Sequence, residues 1–302
     1  MKSKKLYAIP LILLLALMSG CKEEEFTIPS FIHMDAMQLK MSSQNPPFEH
    51  DLIYTSDIVG AYVIVHVPGK ASVDTIGLYT FPFTTPILYD GPLDYLELYP
   101  AVQQSGSSKA LPFYTFYNKL RKTGLTLHSG DTLNLGTDTT TYNITPSDVL
   151  MYQTFEPWES LKFDSVMVHE RNAPADARTG DGYGRVHVSS SESSKAFSIN
   201  ETYTVTDATK LLYLELDTRS DMDFEVYMHS AYRDGGSEDK LSVMVVRGSN
   251  NWQHLYINLG RTWSYFNHNS TFRLSFSALN ADGIEGDIRL DNVRLLTTSV
   301  VL

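Results

Sequence analysis

The sequence predicts an all-β protein made of two antiparallel β-sandwich domains, the C-terminal one jelly-roll-like. Three observations predict it. Short stretches of alternating apolar and polar residues recur from about residue 31 to the C-terminus, broken by Gly, Pro, Asn, Asp and Ser. No amphipathic helical period is evident, and residues 116–120 read as one short turn. The strand-like stretches also fall into two series, separated by residues 145–160 between Pro146 and Pro157.

In chain order, the first strong strand is 61–67, Ala-Tyr-Val-Ile-Val-His-Val, rich in β-branched residues and followed by the Pro68-Gly69-Lys70 turn. Residues 73–79 and 81–88 follow, then an Asp90-Gly91 turn. Residues 93–100 alternate with period two. A further strand pair is expected at 125–127 and 132–135 around Ser129-Gly130-Asp131. These elements define an N-terminal β-sandwich over 31–144. The connector 145–160 carries Tyr152, Phe155 and Trp158. The second series occupies 161–302, with strands expected at 163–169, 182–188, 211–216, 224–228, 241–246, 252–259, 271–279 and 288–295.

Residues 1–20 do not belong to this body. Lys2, Lys4 and Lys5 precede an apolar run of 13 residues, 6–18, which is too short to span a bilayer comfortably. Small residues then lead into Cys21, the only cysteine. This arrangement resembles a bacterial lipoprotein signal peptide, although Met18 stands where an aliphatic residue is usual. The resemblance implies cleavage before Cys21 and lipidation (palmitate included) of its thiol. Lys22-Glu23-Glu24-Glu25 resembles the lipoprotein export signal of Bacteroidota, which implies display on the outer face of the outer membrane. Residues 21–30 then form the lipidated tether. The eight residues from Cys21 to Pro29 reach roughly 28 Å at most, so the folded body starts close to the lipid.

Charge and cysteine content narrow the function classes. The whole chain carries −11, and loss of Lys2, Lys4 and Lys5 with the leader takes it to −14. Such a surface disfavours nucleic acid and anionic lipid, so membrane attachment must come from the acyl chains. With Cys21 modified no disulfide can form, and stability rests on hydrophobic burial.

The N-terminal half resembles uncharacterised Bacteroidota surface lipoproteins. The carrying residues are Ile28-Pro29-Ser30-Phe31, the 61–67 strand, Pro86-Ile87-Leu88 and Gly91, in the order of small PEGA-like or carboxypeptidase-regulatory-like β modules. The C-terminal half resembles a galactose-binding-like or carbohydrate-binding-module sandwich. There the carriers are 272–276 and the acidic terminal strand 287–295. That resemblance implies a structural calcium, with Asp291 and Glu170 as ligand candidates because Ca²⁺ takes clustered hard oxygens. The N-terminal resemblance implies no catalytic residues, and no other cofactor is expected.

No G-x-S-x-G, P-loop, H-E-x-x-H or C-x-x-C motif occurs. Gly180, Gly182 and Gly184 do not complete a dinucleotide fingerprint, because its third glycine falls at Arg185. Aromatics are the suggestive resource. Trp263, Tyr265 and Phe266 read as a loop, and with Arg261 and Asn267 they form a candidate sugar-binding constellation. Indole and phenol rings stack on the C–H faces of sugars while amide and guanidinium groups bond the hydroxyls. Trp252 and Tyr256 alternate within a strand and read as core. The expected function is a non-catalytic, surface-displayed outer-membrane lipoprotein, an accessory binding subunit of an envelope protein assembly. The alternative is a surface glycan-binding protein.

Overall fold

The structure is a computed structural model and describes residues 28–40, 55–69, 74–106, 111–205, 210–231, 238–266 and 270–299. Cys21 and the export signal 22–25 lie outside the described residues, as does Asn267.

Alternation becomes structure most plainly in β3. Ala61, Val63 and Val65 are buried, whereas Tyr62, Ile64 and His66 face out, as period two requires. The N-terminal module runs β1 (Ser30–Met34), β2 (Ala36–Leu39), β3 (Ile58–His66), β4 (Asp74–Thr80), β5 (Phe83–Ile87), β6 (Gly91–Pro92) and β7 (Tyr95–Val102). It ends with β8 (Leu120–Lys122), β9 (Thr126–Leu127), β10 (Thr132–Asn134) and β11 (Thr137–Thr140). One sheet has the order β4-β3-β7-β8 and is antiparallel throughout. A second has the order β10-β1-β5. Its core holds Ile32, Met34, Val63, Val65, Leu96 and Leu98.

Two expectations change here. β1 pairs with β10 and β2 with β11 in parallel, because the chain returns beside its start only after passing through the rest of the module. The segments flanking Ser129-Gly130-Asp131 do not pair with each other. β9 joins β6 and β10 joins β1, while the start of the module catches the turn: the Gly130 N–H donates to the Pro29 carbonyl at 2.9 Å.

The C-terminal module runs β12 (Val149–Gln153), β13 (Val168–Arg171), β14 (Gly182–Val188), β15 (Ser194–Ser198), β16 (Lys210–Ser220), β17 (Asp223–Ala231), β18 (Glu238–Val246) and β19 (Ser249–Asn258). A helical turn α1 (Gly260–Trp263), β20 (Arg273–Leu279) and β21 (Gly286–Ser299) complete it. A six-stranded antiparallel sheet, β13-β14-β21-β16-β19 with β12 also on β21, faces a four-stranded one, β15-β20-β17-β18. This is the jelly-roll-like sandwich expected. The stretch read as a connector instead supplies β12, and Met151 on it is buried in the sandwich core. Leu212, Leu214, Leu216, Phe224, Val226 and Phe276 meet between the sheets. Each such side chain contributes roughly 1.5–3 kcal/mol by burial. Gly182 and Gly184 serve this packing. A Cβ on Gly182 would lie 1.9 Å from the Phe155 carbonyl oxygen, and one on Gly184 would lie 2.6 Å from the Phe155 ring.

The outer face of the six-stranded sheet is where the modules meet. On β16 the even-numbered leucines enter the sandwich core, so Tyr213, Glu215 and Asp217 point the other way; all three are nevertheless buried. The N-terminal module covers them. Val102, Tyr114, Phe116, Tyr117 and Tyr142 pack there against Tyr213, Tyr256 and Leu296. Glu215 accepts hydrogen bonds from the hydroxyls of Tyr114 and Tyr142, each at 2.6 Å, with Arg294 Nη1 at 3.6 Å. Burial, with the charge of Glu215 next, pushes the Tyr114 hydroxyl well above its ordinary pKa, so it stays a neutral donor. Backbone bonding continues across the junction: the Ser105 N–H donates to the Tyr256 carbonyl at 2.7 Å.

Candidate functional site

Where this covering ends, a cleft of about 490 Å³ opens between the modules. One wall comes from the N-terminal module, with Ser56 and Asp57 just before β3 and Gln103, Ser105 and Gly106 just after β7. Ser105 (φ 51°) and Gly106 (φ 67°) make the turn that carries this wall, and the Gln103 side-chain amide braces it by donating to the Gly106 carbonyl. The other wall is β19, presenting Trp252, Gln253 and His254, with Arg247 from the β18–β19 turn. Arg178 closes one side.

Trp252 is half-buried and fixed at two points. Its indole N–H donates to the Asp176 carbonyl at 3.2 Å, and the Arg219 guanidinium lies 5.5 Å from the ring centre. Arg219 in turn bonds the Asp176 carboxylate at 3.0 Å. The 172–181 loop is held just as firmly. The backbone N–H groups of Arg178 and Thr179 donate to Asp291 at 3.0 and 3.1 Å, so the Arg178 guanidinium projects from an anchored backbone.

Behind the cleft lies a buried acid. Asp217 accepts from Thr55 at 2.5 Å and from Asn292 at 2.9 Å, and sits 3.1 Å from His254 Nδ1. Burial pushes its pKa up, but the His254 charge and the bonds from His254 and Thr55 outweigh this and hold it below the ordinary value. Burial takes Asp291 the opposite way, well above its ordinary value, with the Asp217 charge adding to the rise against the backbone N–H bonds. Arg178 Nε is 3.8 Å from Asp217, beyond hydrogen-bond reach, and among the described residues this is the guanidinium's one ion pair.

The sugar-binding constellation expected around Trp263 is not assembled. α1 folds back on the end of the sandwich, the Trp263 N–H bonding the Leu259 carbonyl at 2.8 Å. Trp263 is 3% exposed and lies 5.0 Å from the Phe272 ring, while Phe266 is fully buried. Neither ring offers a face to a ligand. Tyr265 (57% exposed) and Arg261 are at the surface beside them. The segment read as a loop is a core anchor. Tyr256 is buried as expected, though beneath the other module rather than inside the sandwich.

The two carboxylates expected to hold calcium each have protein partners. Glu170 is engaged by Arg185 Nε at 2.7 Å, and the Asp291 oxygens are occupied by backbone N–H donors, including that of Asn292 at 2.8 Å. Among the described residues no group of three or more His, Cys, Asp or Glu stands ready to hold a metal ion.

Arg178, Gln103, Gln253 and Asp57 carried no signal in the sequence, because cleft walls drawn from distant segments have no spacing to detect. Trp252 did carry one. It shares its phase on β19 with His254 and Asn258, whereas Leu255 and Ile257 take the core phase.

No family model matches the chain, and no curated protein matches it. Solved structures do. The CBM22-1 xylan-binding domain from Paenibacillus barcinonensis Xyn10C is 14% identical over 51% of this chain and 97% of its own, with a TM-score of 0.37. The family 30 carbohydrate-binding module of a Clostridium thermocellum cellulosomal cellulase is 16% identical over 49% and 91%, with a TM-score of 0.35. The family 11 module from the same organism, solved with a β-1,3-1,4-mixed-linked tetrasaccharide, is 11% identical over 46% and 91%, with a TM-score of 0.35.

Proposed function

We propose that this protein is a non-catalytic saccharide-binding protein and that the inter-module cleft around Trp252 is its binding site. The observation that carries the reading is a fixed, half-exposed indole beside interleaved donors and acceptors. Arg178, Asp57, Gln103 and Gln253 line the same cleft and between them carry both donor and acceptor groups. A sugar ring has an apolar C–H face and neighbouring hydroxyls that each donate and accept, so both features find partners. A cleft of this size, placed between domains, is typical of small-ligand sites. Glycosidic cleavage needs two facing carboxyls, and Asp57 is the one carboxylate among the described lining residues.

Surface display through lipid on Cys21 belongs to the same proposal, since it would set the cleft near the outer membrane to capture saccharide chains. Cys21→Ser should release the protein from membranes. The accessory-subunit expectation drew on the tether and on missing catalytic signatures; the cleft moves the preference to the glycan alternative. The test is retention on a glycan array. Wild type should be retained on at least one class of oligosaccharide, and Trp252→Ala and Arg178→Ala should each lower retention at least tenfold. Retention on none, or retention unchanged in both variants, would refute the reading.

A further inference from the structure

The N-terminal module has a second concavity, which shares no lining residue with the cleft. On the outer face of the β4-β3-β7-β8 sheet, Tyr62 lies directly opposite Tyr99, and Phe113 stands over both. The ring centres of Tyr62 and Phe113 are 5.9 Å apart at 90°, and those of Tyr99 and Phe113 are 5.8 Å apart at 64°. These rings wall a groove of about 640 Å³, rimmed by Asn118, Lys119 and Asn143. Phe113 is 38% exposed. Three aromatics on the solvent side of an amphipathic sheet are not needed by the module's own core, and a clustered apolar patch in a concavity marks a binding surface.

The groove is also rigid before any ligand arrives. The Tyr62 hydroxyl donates to the Leu111 carbonyl at 3.0 Å. The Tyr99 hydroxyl accepts from Lys119 at 3.0 Å and donates to Glu97 at 3.2 Å. Its floor is pinned across the junction, through Tyr114 on Glu215 and Tyr117 on Tyr256. Side chains already held lose little freedom on binding.

Size and chemistry select the occupant. A stable protein partner needs about 800 Å² on each side and a broad face. This groove instead has the volume of a small-molecule site, with few polar groups around an aromatic wall. An occupant must present a flat C–H surface to the rings and hydroxyls to the Asn and Lys side chains of the rim. We infer that the Tyr62–Tyr99–Phe113 groove is a second saccharide-binding site, independent of the Trp252 cleft, so that one chain holds two sugar segments at once. Two sites on one rigid body raise the apparent affinity for a polymer above that of either site. Only the choice of a saccharide in both places leans on the reading of the cleft; the groove's geometry stands apart from it.

Calorimetric titration with cellohexaose and xylohexaose tests this, using wild type, Trp252→Ala, Phe113→Ala and the double variant. Circular dichroism checks each fold, and Tyr62→Ala replaces Phe113→Ala if the latter fails to fold. Two sites per chain are expected in wild type, one in each single variant and none in the double variant. Retention of wild type on the immobilised polymer should exceed that of either single variant at least tenfold. One site per chain that is lost in Trp252→Ala and intact in Phe113→Ala would overturn the groove and leave the cleft standing. One site lost in Phe113→Ala alone would overturn the cleft and the two-site claim while leaving the groove. No binding of either sugar would overturn both.

Discussion

Trp252 and Trp263 lie close in the sequence, on the same strand–turn unit, and have opposite fates. Trp263 follows the last core residue of β19, enters a single helical turn and packs against Phe272. Trp252 sits on the outer phase of β19, and the 172–181 loop holds it at the mouth of a cleft. Further along that outer row, Tyr256 disappears beneath the N-terminal module. Residue type therefore does not decide exposure here. Strand phase decides which face a ring takes, and module docking decides whether that face stays open.

The largest expected effect is on the buried ring. Trp263→Ala should cost about 3–5 kcal/mol of stability in denaturant unfolding, the range for large aromatics deleted from a core. In the fraction that stays folded, saccharide affinity should be unchanged. An affinity loss without a stability loss would reverse the comparison.

Next comes the junction that buries Tyr256. Glu215→Gln removes the charged carboxylate 3.6 Å from Arg294 Nη1 and leaves two tyrosines with a weaker acceptor, which should cost about 3 kcal/mol. Tyr114→Phe removes one bond to a charged acceptor and should cost about 1.5–3 kcal/mol by the same measurement. In both variants tyrosine accessibility to chemical iodination should rise. Stability within error of wild type would mean that the junction is loosely held.

The exposed ring sharpens the contrast from the other side. Trp252→Ala should change stability by about 1 kcal/mol or less, because the ring is half in solvent. Affinity should nevertheless fall at least tenfold.

The smallest effect concerns pH. Asp217 ionises more readily in the folded state than in the unfolded chain, so its contribution is present above the unfolded carboxylate value. That contribution is lost as pH falls through the depressed folded value, in the acid range below about 4. Asp291 has the opposite sign. Its raised value favours the folded state only while it stays protonated, and that contribution fades as pH rises through the raised value. Melting temperatures of Asp217→Asn should therefore fall less steeply on acidification than those of wild type.

Much of the architecture was legible because alternation reports a half-buried strand directly. β3, β7, β14, β17 and β19 all lie where period two and turn residues placed them. Less legible were the elements whose burial comes from elsewhere. β12 sits between prolines and reads as a connector until β21 pairs with it. β9 and β10 look like neighbours, but each finds a partner from a distant segment. The site was less legible still. Aromatic content pointed to Trp263, which the fold buries, since a tryptophan after a strand looks like a loop unless the helical turn that buries it is foreseen. Tyr62 and Tyr99 take outward positions on paired strands, but Phe113 joins them only in three dimensions.

The most direct measurement is a crystal structure of the protein with a retained oligosaccharide bound. A sugar ring against Trp252, with hydroxyls bonded to Arg178 and to residues of the N-terminal wall, is the result predicted. A sugar bound elsewhere on the molecule, with the cleft between the modules empty, would contradict it.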